Sequence, residues 1–314
     1  MTRLRLGTRG SQLALVQSHM VAGLLETRHA GLSVEIVEFR TSGDRMPDVP
    51  LGPGLGDSFF TKEIESALLD GRVDLAVHSC KDLAAVLPQG LRLGAVPFRE
   101  DPRDALVSLS GTLTELPAAA RVGTSSMRRR RFLSAFRPDL SLVELRGNVP
   151  ARVRAVDEGR CDAVVLAVAG LRRLGLEGRI TEVLDLAVMI PAAAQGALAL
   201  EVREDDEATR AMVAVLDDAA SHAEVTAERA CLRRLGAGCY APVAALGRAK
   251  DENLELRAAV VGSEGIVSVH RSSRVRRADE LGVRAAEDLL SRLGLATLRG
   301  VPWAGVAPGR TEDV

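Results

Sequence analysis

Apolar and polar positions alternate along this chain in a rhythm that divides it into short strands and longer helices. Arg3 to Thr8 reads as a strand, and Gly10 to Glu26 as a helix with Leu13, Val16, Met20 and Leu24 on one face. Ser33 to Arg40 alternates with period two and predicts a second strand. Phe60, Ile64 and Leu68 mark a helix closed by Gly71, and Val73 to Val77 then forms a β-branched run suited to a buried strand of a parallel sheet. Between 41 and 58 the chain carries Gly43, Pro47, Pro50, Gly52, Pro53, Gly54 and Gly56. That composition predicts a long loop of the kind that forms lids or binding loops, although a disordered linker has the same signature.

Pro97 to Arg103 reads as a crossing into a second unit. Beyond it the pattern repeats: strand-like Arg121-Val122, a helix with Arg128 to Arg131, a strand from Leu140 to Leu145, a helix from Pro150 to Glu158 and a strand from Ala163 to Val168. Ala197 to Val202 predicts one more strand, returning to the first unit. A helix through Leu235 then precedes three strand-like runs near 242–248, 254–261 and 266–271, and a helix from Asp279 to Leu293. Strands grouped together and flanked by helices indicate a small α+β domain.

Composition narrows the class. Hydrophobic content of 46% and charged content of 26% are those of a soluble globular protein. No apolar run approaches the ~18 residues of a membrane span, and the N-terminus shows no apolar signal segment, so a cytoplasmic protein is expected. Cys80, Cys161, Cys231 and Cys239 show no Cys-x-x-Cys pair and no metal-ligand spacing with the five histidines, which argues against a zinc site and a disulfide framework. Of 41 cationic residues only Lys62, Lys81 and Lys250 are lysines. Arginine presents a planar fork that grips carboxylate or phosphate at two points.

Strand ends carry the candidate chemistry. The run from Val73 turns polar at His78, Ser79, Lys81 and Asp82, where open α/β sheets place their ligands. A lysine beside the acid keeps the carboxylate ionised in a partly dry cleft, while a helix start capped by Ser79 or Asp82 is the plainer reading. Gly123-Thr124-Ser125-Ser126 offers backbone N–H groups and hydroxyls to an anion, with Arg128 and Arg129 in the next turn. Thr8-Arg9-Gly10-Ser11 repeats the arrangement, and Arg146-Gly147-Asn148, with Arg152 one turn on, is a third. Each alone also fits a solvated helix start. Three such ends facing one cleft would bind a molecule with many negative charges. The Arg128–Arg131 run would grip nucleic acid if it lay along one basic face, but a net charge of −1 and 3% aromatics weigh against that partner. Cys239 lies between Gly238 and Tyr240 in a loop, the best placed of the four thiols for a covalent role, while a buried inert thiol fits as well.

These segments, in this order, resemble the porphobilinogen deaminase (hydroxymethylbilane synthase) family over almost the whole chain. The resemblance rests on Leu6–Leu15, Phe60-Thr-Lys-Glu-Ile64, Asp74–Leu83, Val122–Arg129, Leu145-Arg-Gly-Asn-Val149, Ala169–Gly175, Gln195-Gly-Ala197, Glu228-Arg229 and Gly238-Cys-Tyr-Ala-Pro242. It implies an α/β fold of two periplasmic-binding-protein-like domains with a cleft between them, plus a small α+β C-terminal domain. The expected spans are 1–99 with 199–216, then 100–198, then 217–314. It implies a transferase that adds four porphobilinogen molecules to a dipyrromethane primer, with loss of ammonia, and releases hydroxymethylbilane by hydrolysis. It implies that Cys239 holds the dipyrromethane by a thioether and that Asp82 is catalytic. Lys81, Asp82, Ser126, Arg128, Arg129, Arg146 and Gly147 would bind the cofactor. Arg9, Ser11, Thr124, Arg152, Arg173 and Gln195 would bind substrate. No metal, nucleic acid or membrane is expected, and the family suggests a monomer. Gly54-Leu-Gly-Asp-Ser58 lacks the lysine often found in family members, which puts a basic lid contact in doubt. Ala84 stands where a proline commonly follows, which suggests a looser turn after Asp82. A two-lobed anion receptor without chemistry is the alternative, but it would have no use for Asp82 and Cys239.

Overall fold

The computed structural model of the chain describes residues 2–45, 60–238, 241–262 and 265–301. Strands β1 (Thr2–Arg9), β2 (Leu32–Phe39), β3 (Leu75–Ser79) and β4 (Leu91–Ala95) come first. They are followed by β5 (Asp104–Ser108), β6 (Arg121–Gly123), β7 (Ser141–Val143), β8 (Ala163–Ala167) and β9 (Glu182–Val183), then β10 (Leu198–Arg203). Last are β11 (Val243–Lys250), β12 (Asn253–Gly262) and β13 (Gly265–Arg274). They form three sheets, in the orders β2-β1-β3-β10-β4, β7-β6-β8-β5-β9 and β11-β12-β13.

The two five-stranded sheets are built alike. In each, three neighbouring strands run parallel, and the next in order runs antiparallel to the strands on both its sides. That antiparallel strand is the one arriving from the other lobe: β5 follows the first crossing and β10 the second. The sheet around the Val73 run is therefore mixed. β3 is parallel to β1 on one side and antiparallel to β10 on the other. It also begins two residues later than the apolar run suggests, because Val73 is still tied to the preceding helix by its N–H to Ala67 O at 3.2 Å. His78 and Ser79 stay in the strand, and Lys81 and Asp82 fall in a single 3₁₀ turn, Cys80–Asp82.

The two crossings run side by side. Glu100 N–H donates to Gly196 O at 3.3 Å, and a Cβ at Gly196 would collide with the Glu100 carbonyl. Glycine at 196, with φ +89°, is what permits so close an approach. Neither β4 nor β5 was expected from the sequence pattern. Both are five-residue runs beside the proline- and arginine-rich crossing, too short for periodicity to register. The helix Glu207–Ala214, capped by Asp206 through Thr209 N–H, was also unforeseen.

The first helix, Gln12–Arg28, corrects an expectation. Its buried face is Gln17, Ser18, Val21, Ala22 and Leu25, whereas Met20 and Leu24 are exposed. Apolar residues are spread around the helix and the buried face itself includes Gln17 and Ser18, so the spacing alone cannot select the face that meets the sheet. At the start of the 41–58 stretch a short helix, Ser42–Arg45, replaces loop. Residues 46–59, including Gly54–Ser58, lie outside the described residues, as does the tail from Pro302.

The third sheet alternates cleanly. Leu254, Leu256, Ala258 and Val260 face the helices Ala219–Leu235 and Ala278–Leu293. Ala244, Ala259 and Val261, on the opposite face, share a core with Phe132 and Leu133 of the second lobe. Period-two burial on both faces is what lets three strands join two helices to a neighbouring lobe.

Candidate functional site

The 3₁₀ turn at the end of β3 presents two half-buried side chains, Lys81 and Asp82. Lys81 Nζ donates to Gln195 Oε1 at 3.3 Å. Burial and the neighbouring Arg129 charge push its pKa down to about 8, against the opposing pull of Asp82 and Asp104. Asp82 makes no hydrogen bond to any described residue, yet its charge acts on Lys81, Arg129 and Arg152. The turn beyond it is firmer than Ala84 in place of proline suggested. Arg229 donates to Leu83 O at 3.2 Å and to Ala84 O at 2.6 Å, so the helix Ala219–Leu235 braces it.

Facing this turn is a buried carboxylate that the sequence reading passed over. Asp104, the first residue of β5, is fully buried and accepts from Arg128 Nη1 at 2.8 Å, Arg129 Nε at 2.9 Å and Gln195 Nε2 at 3.1 Å. Burial alone would raise its pKa, but Arg128 and Arg129 hold it well below the usual carboxylate range. One signal was available: an acid entering an apolar strand run must be paired, because an isolated buried charge is prohibitively costly.

The predicted arginines divide by what they hold. Arg128 also donates to Ile190 O at 2.8 Å, and Arg129 to Val165 O at 2.9 Å. Arg128 through Arg131 are all buried, so the run is not a solvent-facing basic strip. Arg152 donates from Nε to Gly147 O at 2.7 Å, and its Nη1 and Nη2 meet no acceptor among the described residues. Burial and Arg129 lower its pKa to about 10. Arg146 pairs with Glu144 at 3.1 Å, and Gly147 takes φ +105° between them and the helix Val149–Asp157. Arg173 reaches Gln17 Oε1 at 3.1 Å and Gly196 O at 2.7 Å. The Arg9 guanidinium lies 4.6 Å from the centre of the Phe60 ring. Ser11 and Ser126 cap the helices Gln12–Arg28 and Met127–Phe136, and Thr124 Oγ1 accepts from Ser126 N–H at 3.2 Å. Gln195 is fully buried, its amide nitrogen also donating to Pro102 O at 2.7 Å.

Cys239 lies outside the described residues. Its described neighbours Gly238 and Ala241 line a cavity of about 60 Å³ together with Lys81 and Leu232. Cys80, Cys161 and Cys231 are buried in hydrophobic clusters, as core residues should be, and burial pushes Cys231 up to about 12. A larger cavity, about 670 Å³, opens between the first crossing, Asp185 and Arg248, and contains none of the sequence-predicted residues.

Lys81 from the first lobe and Arg129 and Arg152 from the second thus act electrostatically on one carboxylate, Asp82, which has no hydrogen-bond partner among the described residues. Such a set of cations can seat several carboxylates while Asp82 accepts an N–H.

Comparison with known proteins places the chain. The family model described as "Porphobilinogen deaminase, dipyromethane cofactor binding domain" matches residues 4–211, and that described as "Porphobilinogen deaminase, C-terminal domain" matches residues 222–291. A porphobilinogen deaminase of Roseiflexus sp. (strain RS-1) is 49% identical, covering 95% of this chain and 99% of the relative. One from Syntrophotalea carbinolica is 48% identical, covering 92% and 93%. Among solved structures, the methionine binding protein MetQ covers 68% of this chain and 89% of its own, at 16% identity and a TM-score of 0.44.

Proposed function

The chain belongs to the porphobilinogen deaminase family, and on that premise we propose that the Lys81–Asp82 turn is where porphobilinogen reacts. The family activity joins four porphobilinogen molecules with loss of ammonia and releases hydroxymethylbilane. Bound dipyrromethane supplies the primer to which the units are joined, and Cys239 would hold it by a thioether.

The residues present suit that group. It is flanked by acetate and propionate carboxylates, and the site offers Lys81, Arg129 and Arg152 around a single acceptor. The open guanidinium nitrogens of Arg152 match a carboxylate, and an uncommitted Asp82 carboxylate matches a pyrrole N–H. The cavity shared by Lys81, Gly238 and Ala241 supports the Cys239 assignment.

The chemistry of the chain's own groups follows. When the aminomethyl arm of porphobilinogen leaves as ammonia, its positive charge spreads onto the ring nitrogen. Asp82 accepts the hydrogen bond of that N–H and offsets the charge where it develops. Lys81 and Arg152 hold ring carboxylates and keep the ring from turning. Arg128, Gln195, Arg173, Thr124, Ser126 and Ser11 stand behind them, shaping the backbone and side chains that touch the ligand. Arg9, Arg146 and Gly147 complete the carboxylate-binding rim. The observation that carries this reading is the Asp82 carboxylate, without a hydrogen-bond partner among the described residues and within electrostatic reach of Lys81, Arg129 and Arg152.

The three sheets support a division into 1–99 with 199–216, 100–198 and 217–314. We place the enzyme in the cytoplasm as a monomer acting on a small molecule, without nucleic acid. Among the described residues no helix is long and apolar enough to cross a membrane.

Intact-mass measurement tests the covalent attachment. The purified protein should be heavier than its sequence by one dipyrromethane, and Cys239→Ser should lack the increment. An active protein of unmodified mass would refute the assignment.

A further inference from the structure

We propose that Asp104 is a positioning residue of the reaction site: from the first residue of β5 it orients the Gln195 amide and the Arg129 guanidinium, and through them fixes Lys81 against Asp82. The Gln195 amide nitrogen donates to two acceptors at once, Pro102 O at 2.7 Å and Asp104 Oδ1 at 3.1 Å. An amide so held has one orientation only, with Oε1 toward Lys81 Nζ at 3.3 Å. Lys81 therefore meets an oxygen, which accepts from an ammonium. The link joins both crossings, since Asp104 follows the first and Gln195 belongs to the second. It exists only while the two lie alongside each other.

Charge gives the second half of the argument. Lys81 feels Asp82 from its own turn, Arg128 and Arg129 from the helix Met127–Phe136, and Asp104 from β5. Burial and Arg129 drive the lysine toward its neutral form, and Asp104 is one of the two carboxylates opposing them. Neutralising Asp104 leaves two arginines beside Lys81 with Asp82 as the remaining carboxylate. The lysine would then lose its proton at lower pH.

This inference rests on the proposed reaction site, but its test does not depend on turnover. The chain has three lysines, so protein grown with ¹³C-lysine gives three resolvable sets of side-chain signals, and Lys81→Arg identifies the one that disappears. In the purified enzyme, Asp104→Asn should lower the Lys81 titration midpoint by about one pH unit. Gln195→Leu, which removes the facing oxygen and leaves Asp104 in place, should also lower it. The alkaline limb of kcat/KM should move with the midpoint, whereas a merely structural role for Asp104 would depress activity equally at every pH. An unmoved Lys81 midpoint in the folded variants overturns the proposal. If Asp104→Asn fails to fold, an unmoved midpoint in Gln195→Leu overturns it alone. A midpoint that moves without any change in the activity profile upholds the positioning role and counts instead against Lys81 as part of the reaction site.

Discussion

The Arg173 guanidinium, carried by the second lobe, donates at 3.1 Å to the Oε1 of Gln17 in the first. Ser79 Oγ, at the end of β3, donates to the same oxygen at 3.1 Å. One buried amide thus ties the strand leading to Asp82 to the opposite lobe. Burial lowers the Arg173 pKa to about 10, which leaves it a cation at neutral pH. Arg173→Met keeps the apolar stem and removes the cross-lobe bond to Gln17 together with the bond to Gly196 O in the second crossing. The variant should show a larger radius of gyration in solution scattering and a roughly tenfold loss in kcat/KM, the equivalent of one charged hydrogen bond. An unchanged radius with unchanged kinetics would mean that the clamp does not hold the lobes.

Asp82→Asn tests the charge within electrostatic reach of Lys81, Arg129 and Arg152. Because the side chain is half-buried and makes no hydrogen bond to a described residue, the variant should melt within a few degrees of the parent. Its kcat should fall by about 10²–10³-fold, the usual cost of removing one stabiliser of a developing charge. Turnover near the parent value would rule out that role.

Lys81 produces opposing pH trends. Its folded pKa is about 8, below the ordinary lysine value, so between that pH and about 10.4 the unfolded chain binds more protons than the folded one. This group alone therefore makes folding stability rise with pH across that window. Substrate capture by the ammonium should decline over the same interval. Denaturation midpoint and KM, measured from pH 7 to 9.5, should both rise in the parent, stability increasing as affinity is lost, and neither trend should remain in Lys81→Arg. A KM that stays flat or falls across that range in the parent would contradict the assignment.

Glu228 concerns stability. It is fully buried on the helix Ala219–Leu235 and accepts from Arg99 Nη1 at 2.7 Å, from Gly247 N–H at 2.6 Å and from Ala194 N–H. Burial raises its pKa in spite of Arg99. Ala194, with φ +58°, precedes Gln195 in the second crossing, so this carboxylate pins strained backbone next to the site. Glu228→Gln leaves Arg99 with Glu224 as its one charged partner among the described residues and should cost about 3–5 kcal/mol in chemical denaturation. A loss below about 1 kcal/mol would show that Glu224 compensates.

Local pattern reached a good part of this molecule. The alternation from Ser33 to Arg40, the β-branched run at Ala163 and the three clustered strands after Pro242 specify their elements because burial on one or both faces imposes the period directly. Polar residues breaking off an apolar run marked Lys81 and Asp82 as a site for the same local reason. Where apolar residues are spread around a helix and polar ones are buried, as in Gln12–Arg28, nothing local distinguishes one face from another, and the face turned inward differs from the one the spacing suggests.

The amino-acid sequence by itself determined the family, the larger helices and strands, the first crossing and the candidate Asp82, Lys81 and arginines. Only the tertiary structure decided which partners those groups have. It spent Arg128 on Asp104 and Ile190, turned Gln195 toward Lys81, set Arg173 on Gln17 and left Asp82 without a hydrogen bond among the described residues. The reason is physical. A side chain's type is a property of one position, but its protonation and its freedom to bind depend on neighbours 24 to 156 residues away in sequence that only the folded chain brings to it.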